Sequence, residues 1–124
     1  MRTVLISAAT AVILLLSSLV NSMAADRILT ADEVKKLIAG NTVHVTLVSN
    51  GKQWKIFFAP DGKGYESESE ARGTWEVKDN GEHCTSWATL KCARIADLGD
   101  GKYSRLKSGG DIAVTWKIEA GKHL

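Results

Sequence analysis

The segment "NTVHVTLVSNGKQWKIFFAPDG", Asn41 to Gly62, constrains this chain more than any other part of it. Apolar and polar residues alternate on both sides of Asn50-Gly51, so one set of side chains falls on one face of each strand. Asn-Gly is the dipeptide favoured in a two-residue type I′ turn, where both positions take positive φ. A turn of that length pairs Ser49 with Lys52, Leu47 with Trp54, Val45 with Ile56 and Val43 with Phe58. The last three pairs are apolar on both sides and share a face. The other face carries His44, Thr46, Lys55 and Phe57, a mixture suited to partial exposure.

The same signals recur downstream. Pro60-Asp61-Gly62 turns the chain, and a weak strand follows near Tyr65. The run Glu66, Ser67, Glu68, Ser69 makes that stretch read as an edge or a ragged connection. Gly73–Val77 is a strand with Trp75 and Val77 on one face, turned by Asp79-Asn80-Gly81. Further strands are expected at about 83–87, 91–96, 102–107 and 111–118. Gly99-Asp100-Gly101 and Ser108-Gly109-Gly110 supply turns, and Ile112, Val114, Trp116 and Ile118 share a face.

Upstream, Thr30-Ala31-Asp32-Glu33 is a capping box. Val34, Leu37 and Ile38 follow at helical spacing, and Gly40 suits the position just past a helix end. One short amphipathic helix over about 31–39 is expected, and it must pack on something to persist. The sum is a mainly β domain: a small antiparallel meander of about seven or eight strands, barrel-like in the manner of lipocalins and other calycins. The helix is expected to plug one end or cover one face.

The chain has 124 residues, room for one domain. Its opening, "MRTVLISAATAVILLLSSLVNSMAAD", has Arg2, an apolar stretch to Val20, and Ser22-Met23-Ala24 at the end. This is the pattern of a secretory signal peptide spanning 1–24, leaving one β-rich domain over 25–124 in the periplasm or outside the cell. Contact with a membrane is then expected only through that segment, during export. Losing Arg2 from 16 basic side chains leaves near-balance with 14 acidic ones. The signs are interspersed, with no basic stripe for a phosphate backbone, so nucleic acid is not an expected partner.

Cys84 and Cys92 are too far apart for a C-x-x-C redox or zinc motif. An exported chain can oxidise them, and adjacent strands bring facing positions within disulfide reach. Two registers are open. With Asn80-Gly81 as a two-residue turn, Val77 opposes Cys84 and the disulfide faces the core. With Asp79-Asn80-Gly81 as a three-residue loop and Gly81 left-handed, Trp75 opposes Thr85, Trp87 faces inward and the disulfide faces out. Arg94 shares parity with Cys92, and burying it is costly, which favours the second.

No hydrolase, dinucleotide or phosphate-loop motif is present. "DGKGYESESE" lacks the alternating oxygen ligands of a calcium loop. His44, His83 and His123 are scattered, and surface positions are expected for them, with no metal and no cofactor. Trp54, Trp75 and Trp116 fall on core-facing parities. They are candidates to line a ligand pocket, against the simpler expectation that they fill the interior.

Together "LTADEVKKLIAGNTV", "FAPDGKG", "GTWEVKDNGEHCTSWATLKCARI" and "GDGKY" resemble a family of small exported proteobacterial proteins grouped as a domain of unknown function. The resemblance implies export and a β-rich, barrel-like domain, and it brings no catalytic residue. The expected function is that of a non-enzymatic binding or interaction module, touching its partner through loops and the aromatic face near Phe57. The alternatives are a calycin-like carrier of a small apolar ligand, using Trp54, Trp75 and Trp116, and a small inhibitor of an envelope enzyme or such an enzyme itself.

Overall fold

The computed structural model of the protein describes residues 27–66 and 72–124. The expected signal segment and the acidic run beyond Glu66 lie outside the described residues. In chain order the elements are β1 (Arg27–Ile28), α1 (Ala31–Ile38), β2 (Asn41–Leu47), β3 (Gln53–Phe58), β4 (Lys63–Tyr65), β5 (Gly73–Val77), β6 (His83–Ser86), β7 (Leu90–Ala93), β8 (Ile95–Gly99), β9 (Lys102–Arg105) and β10 (Val114–Ala120). All strands join one antiparallel sheet in the order β1-β8-β9-β10-β2-β3-β4-β5-β6-β7.

The chain therefore folds as two meanders, β2 to β7 and β8 to β10. β10 joins them, pairing with β2 from Val114↔Leu47 to Ala120↔Asn41. β7 and β8 follow each other in sequence yet do not pair. The sheet curls into a half-barrel that is open between them, the mainly β, barrel-like architecture expected. The strand expected at 91–96 breaks at exposed Arg94, where the chain leaves β7 and crosses to β8. That break and the short β1 raise the count above the expected seven or eight.

The β2–β3 hairpin forms, but its register differs from the expectation by two residues: Val45 faces Trp54, Val43 faces Ile56, and Asn41 faces Phe58. The reason lies in the turn. Gly51 has φ 75°, but Asn50 does not enter the left-handed region, so a type I′ turn cannot form. Asn50 instead accepts from the Lys52 amide through Oδ1 at 2.9 Å. A four-residue loop results, closed by Leu47 N–H donating to Lys52 O at 2.8 Å. Because the shift is even, Val43, Val45, Trp54 and Ile56 keep the same face.

One further expectation is corrected and one is borne out. β4 is no edge: it lies between β3 and β5, with Phe57↔Tyr65 and Gly64↔Gly73 in register. The β5–β6 hairpin adopts the three-residue loop, with Trp75 opposite Thr85 and Glu76 opposite Cys84. Gly81 takes φ 92° there, and the disulfide faces away from the barrel interior.

The helix starts as its capping box dictates. Thr30 Oγ1 accepts from Glu33 N–H at 3.3 Å, and Glu33 Oε1 accepts from Thr30 N–H at 3.0 Å. Its Val34 and Ile38 are fully buried with Val43, Phe58, Ile95 and Trp116. Each of those two aliphatic side chains contributes about 1.5–3 kcal/mol by leaving water. The helix touches both β2 and β5 and so lies across one end of the half-barrel.

Candidate functional site

Alternation along β2, β3, β6, β9 and β10 sends one row of side chains from each strand into the barrel. These inward rows line a hollow of about 390 Å³. Trp54, Phe58, Trp87 and Trp116 supply its aromatic wall, and Val45, Ile56 and Val114 its aliphatic one. Trp116 and Phe58 are almost wholly buried, whereas Trp54 and Trp87 are half-exposed.

The structure thus brings Trp54 and Trp116 together on the hollow, but not Trp75. The Trp75 ring packs edge-on against Phe58 at 5.6 Å between centroids, and its Nε1–H donates to Ala59 O at 2.9 Å. Trp75 supports the wall from behind, and Trp87 takes the lining place expected of it. Trp87 owes that place to glycine. Gly64 and Gly73 face each other on β4 and β5, and the Trp87 indole lies over both. A Cβ on Gly64 would stand 2.6 Å from Trp87 Cη2.

The polar end of the hollow is His83 and Arg105. The expectation of a surface histidine fails for His83, which has no exposure at all. It opposes Val77 and shares the inward parity of Thr85, so the register that turns Cys84 outward turns His83 inward. Phe58, Trp75 and Trp116 surround its ring, with centroids 5.0, 6.2 and 5.6 Å away.

Arg105, also inward-facing, reaches across the open side of the barrel. Its Nε donates to His83 Nδ1 at 3.3 Å, and Nη2 donates to His83 O at 3.3 Å and Lys91 O at 2.9 Å. Since the guanidinium can only donate, Nδ1 is the acceptor and the ring proton sits on Nε2. That Nε2 is buried and has no hydrogen-bond partner among the described residues. Burial first, and the Arg105 charge second, push the His83 pKa down to about 3, so the ring is neutral. Burial also lowers the pKa of Arg105. Sequence reasoning missed both residues, although parity carried the signal: Trp116 faces Tyr103 across β9–β10, and Arg105 lies two residues on.

Outside the barrel, Cys84 and Cys92 face each other on β6 and β7 and form the disulfide, with S–S 2.08 Å. A wider, open trough of about 860 Å³ runs over the outer face of β9, β10, β2 and β3. Its lining combines charged and polar residues, among them His44, Lys55, Lys102, Lys117 and Glu119, with Val45 and Trp54. Elsewhere on that face Phe57 and Tyr65 lie 6.0 Å apart beneath Lys122 Nζ.

Among the described residues no cluster of three or more His, Cys, Asp and Glu is placed to hold a metal ion. None of their helices is long and apolar enough to cross a membrane. No protein-family model, curated protein or solved structure matches this chain.

Proposed function

We propose that the protein is an exported, non-enzymatic binding module whose half-barrel hollow carries a small ligand with an apolar body, in the manner of a calycin. The observation that carries this reading is the hollow itself. Its volume of about 390 Å³ lies within the ~300–1,000 Å³ of small-molecule sites, and like them it is mostly apolar with a few polar groups. Two half-exposed indoles at its walls, Trp54 and Trp87, are accessible to an incoming molecule. Export is supported by the signal pattern of residues 1–24 and by the disulfide. The non-enzymatic reading is supported by His83: among the described residues its ring is bonded by Arg105 and by no carboxylate, and Arg105 opposes its protonation.

Phenylnaphthylamine, a neutral fluorophore, tests the reading. The expected result is saturable binding with a blue-shifted emission, quenching of tryptophan fluorescence, and loss of binding in Trp54→Ala. Absence of binding by the folded protein of both this probe and its sulfonated counterpart, anilinonaphthalenesulfonate, overturns it.

A second reading, an acidic partner protein docked on the outer trough, is favoured by one row of registered residues. Lys102 faces Lys117, Lys117 faces His44, and His44 faces Lys55 across four neighbouring strands. The facing like charges of Lys102 and Lys117 disfavour the free sheet and would be relieved by carboxylates. Glu119 pairs with His44 at 2.8 Å and lies 3.7 Å from His123. Retention on immobilised polyglutamate at low salt, lost in Lys117→Glu, is the expected outcome; equal elution of both proteins removes this reading.

A further inference from the structure

The polar end of the hollow selects among apolar ligands, an inference that rests on the carrier reading above. Arg105 lines the hollow as a cation with no carboxylate within 4.0 Å among the described residues. Its hydrogen bonds go to neutral acceptors only, the His83 ring and two backbone carbonyls, which fix the guanidinium without neutralising it. Nη1 makes no hydrogen bond among the described residues. The neighbouring His83 turns Nδ1 to Arg105, and its buried Nε2–H has no acceptor among the described residues. Glu66 and Lys107 also border the hollow, both exposed and of opposite sign.

A cation without a carboxylate partner among the described residues therefore stands at one end of an aromatic chamber. A wholly apolar occupant pushes water from its free Nη1, which is unfavourable. An occupant with an anionic head accepts from it. The fixed fork of a guanidinium suits a planar or tetrahedral oxyanion. With the imidazole neutral, the site carries a single positive charge and matches a single negative one.

We infer that the hollow binds an amphipathic organic monoanion, its carboxylate or sulfonate on Arg105 and its aromatic or aliphatic body against Trp54, Phe58 and Trp116. The requirement is shared by carboxylates and sulfonates alike, and the geometry sets the anion and the apolar body, not the length of the body.

Paired probes test this on the full mature protein. Anilinonaphthalenesulfonate and phenylnaphthylamine share an aromatic body and differ by the sulfonate. Decanoate and decanol share an aliphatic body and differ by the carboxylate. The native protein is expected to bind the sulfonate about ten- to a hundredfold more tightly than the amine, and decanoate is expected to displace it at correspondingly lower concentration than decanol. Arg105→Met is expected to remove that preference, bringing the sulfonate and the amine to equal affinity. Because Arg105 also braces the barrel, circular dichroism checks the variant, and Arg105→Lys, which keeps the charge but not the fork, is expected to retain part of the preference. Should Arg105→Met not fold, the two probe pairs on the native protein decide alone. Equal affinity of the native protein for the charged and neutral members overturns the monoanion, while leaving the carrier reading intact. Failure of both fluorophores to bind overturns the carrier reading itself.

Discussion

Gly64 and Gly73 are partners across β4 and β5, and the missing Cβ of each leaves the slot in which the Trp87 indole lies. Glycine in a strand weakens it locally, and close approach of another group is the usual reason for its presence. Here that group is one wall of the hollow, so two residues without side chains position a ligand-facing aromatic.

Adding a methyl at either place is therefore expected to destabilise the protein by about 1–3 kcal/mol. Gly73→Ala should be the worse of the two, because its Cβ meets the backbone carbonyl of Ser86 as well as the indole. In Gly64→Ala the clash is with the far edge of the Trp87 ring, which can swing. Urea unfolding gives the ranking, and a red shift of tryptophan emission in Gly64→Ala reports Trp87 moving into water.

Acid should weaken the fold through His83. Its folded pKa of about 3 lies below the ordinary value of 6.5. Between those two values the unfolded chain takes up a proton that the folded one refuses. The stability this residue permits is thus complete above the ordinary value and is lost as pH falls, at up to roughly 1.4 kcal/mol per pH unit. His83→Phe keeps a ring among Phe58, Trp75 and Trp116 and has no proton to bind. Its urea midpoint is expected to fall less steeply than that of the native protein between neutrality and about pH 4.

Removing the disulfide by Cys84→Ala with Cys92→Ala is expected to cost about 2–3 kcal/mol, from the loop-closure entropy of the short segment it ties. The sulfur pair faces away from the hollow, so probe affinity at a temperature where the variant is folded should not change. A large loss of affinity there would show that β7 and the Arg105 contact to Lys91 O depend on the clasp.

The helix offers a control remote from the hollow. Thr30→Ala removes the N-cap acceptor for Glu33 N–H and is expected to lower stability by about 1 kcal/mol. Thermal unfolding measures the loss, and binding of phenylnaphthylamine to the folded variant should be unaltered.

Much of this architecture was legible in the sequence because alternation is local. The helix, its cap, the inward parity of Trp54 and Trp116 and the outward disulfide all follow from spacings within a dozen residues. Failures arose where a distant strand intervened. The β2–β3 turn is longer than Asn50-Gly51 suggests, because Val48 N–H donates to Ala113 O from the other meander. The Glu-rich stretch after Tyr65 suggested an edge, yet Gly64 and Gly73 hold β4 inside the sheet. His83 was expected at the surface from residue type alone. Its burial depends on Arg105, 22 positions away, and no local pattern announces that partnership.

β10 is the last strand in the chain, and it is also the joint between the two meanders. Until it emerges, β2 lacks one neighbour along its whole length and the barrel has no closed side. Assembly of the hollow must therefore wait until residues 114–120 are available to pair, so the chamber forms only when both meanders are in place.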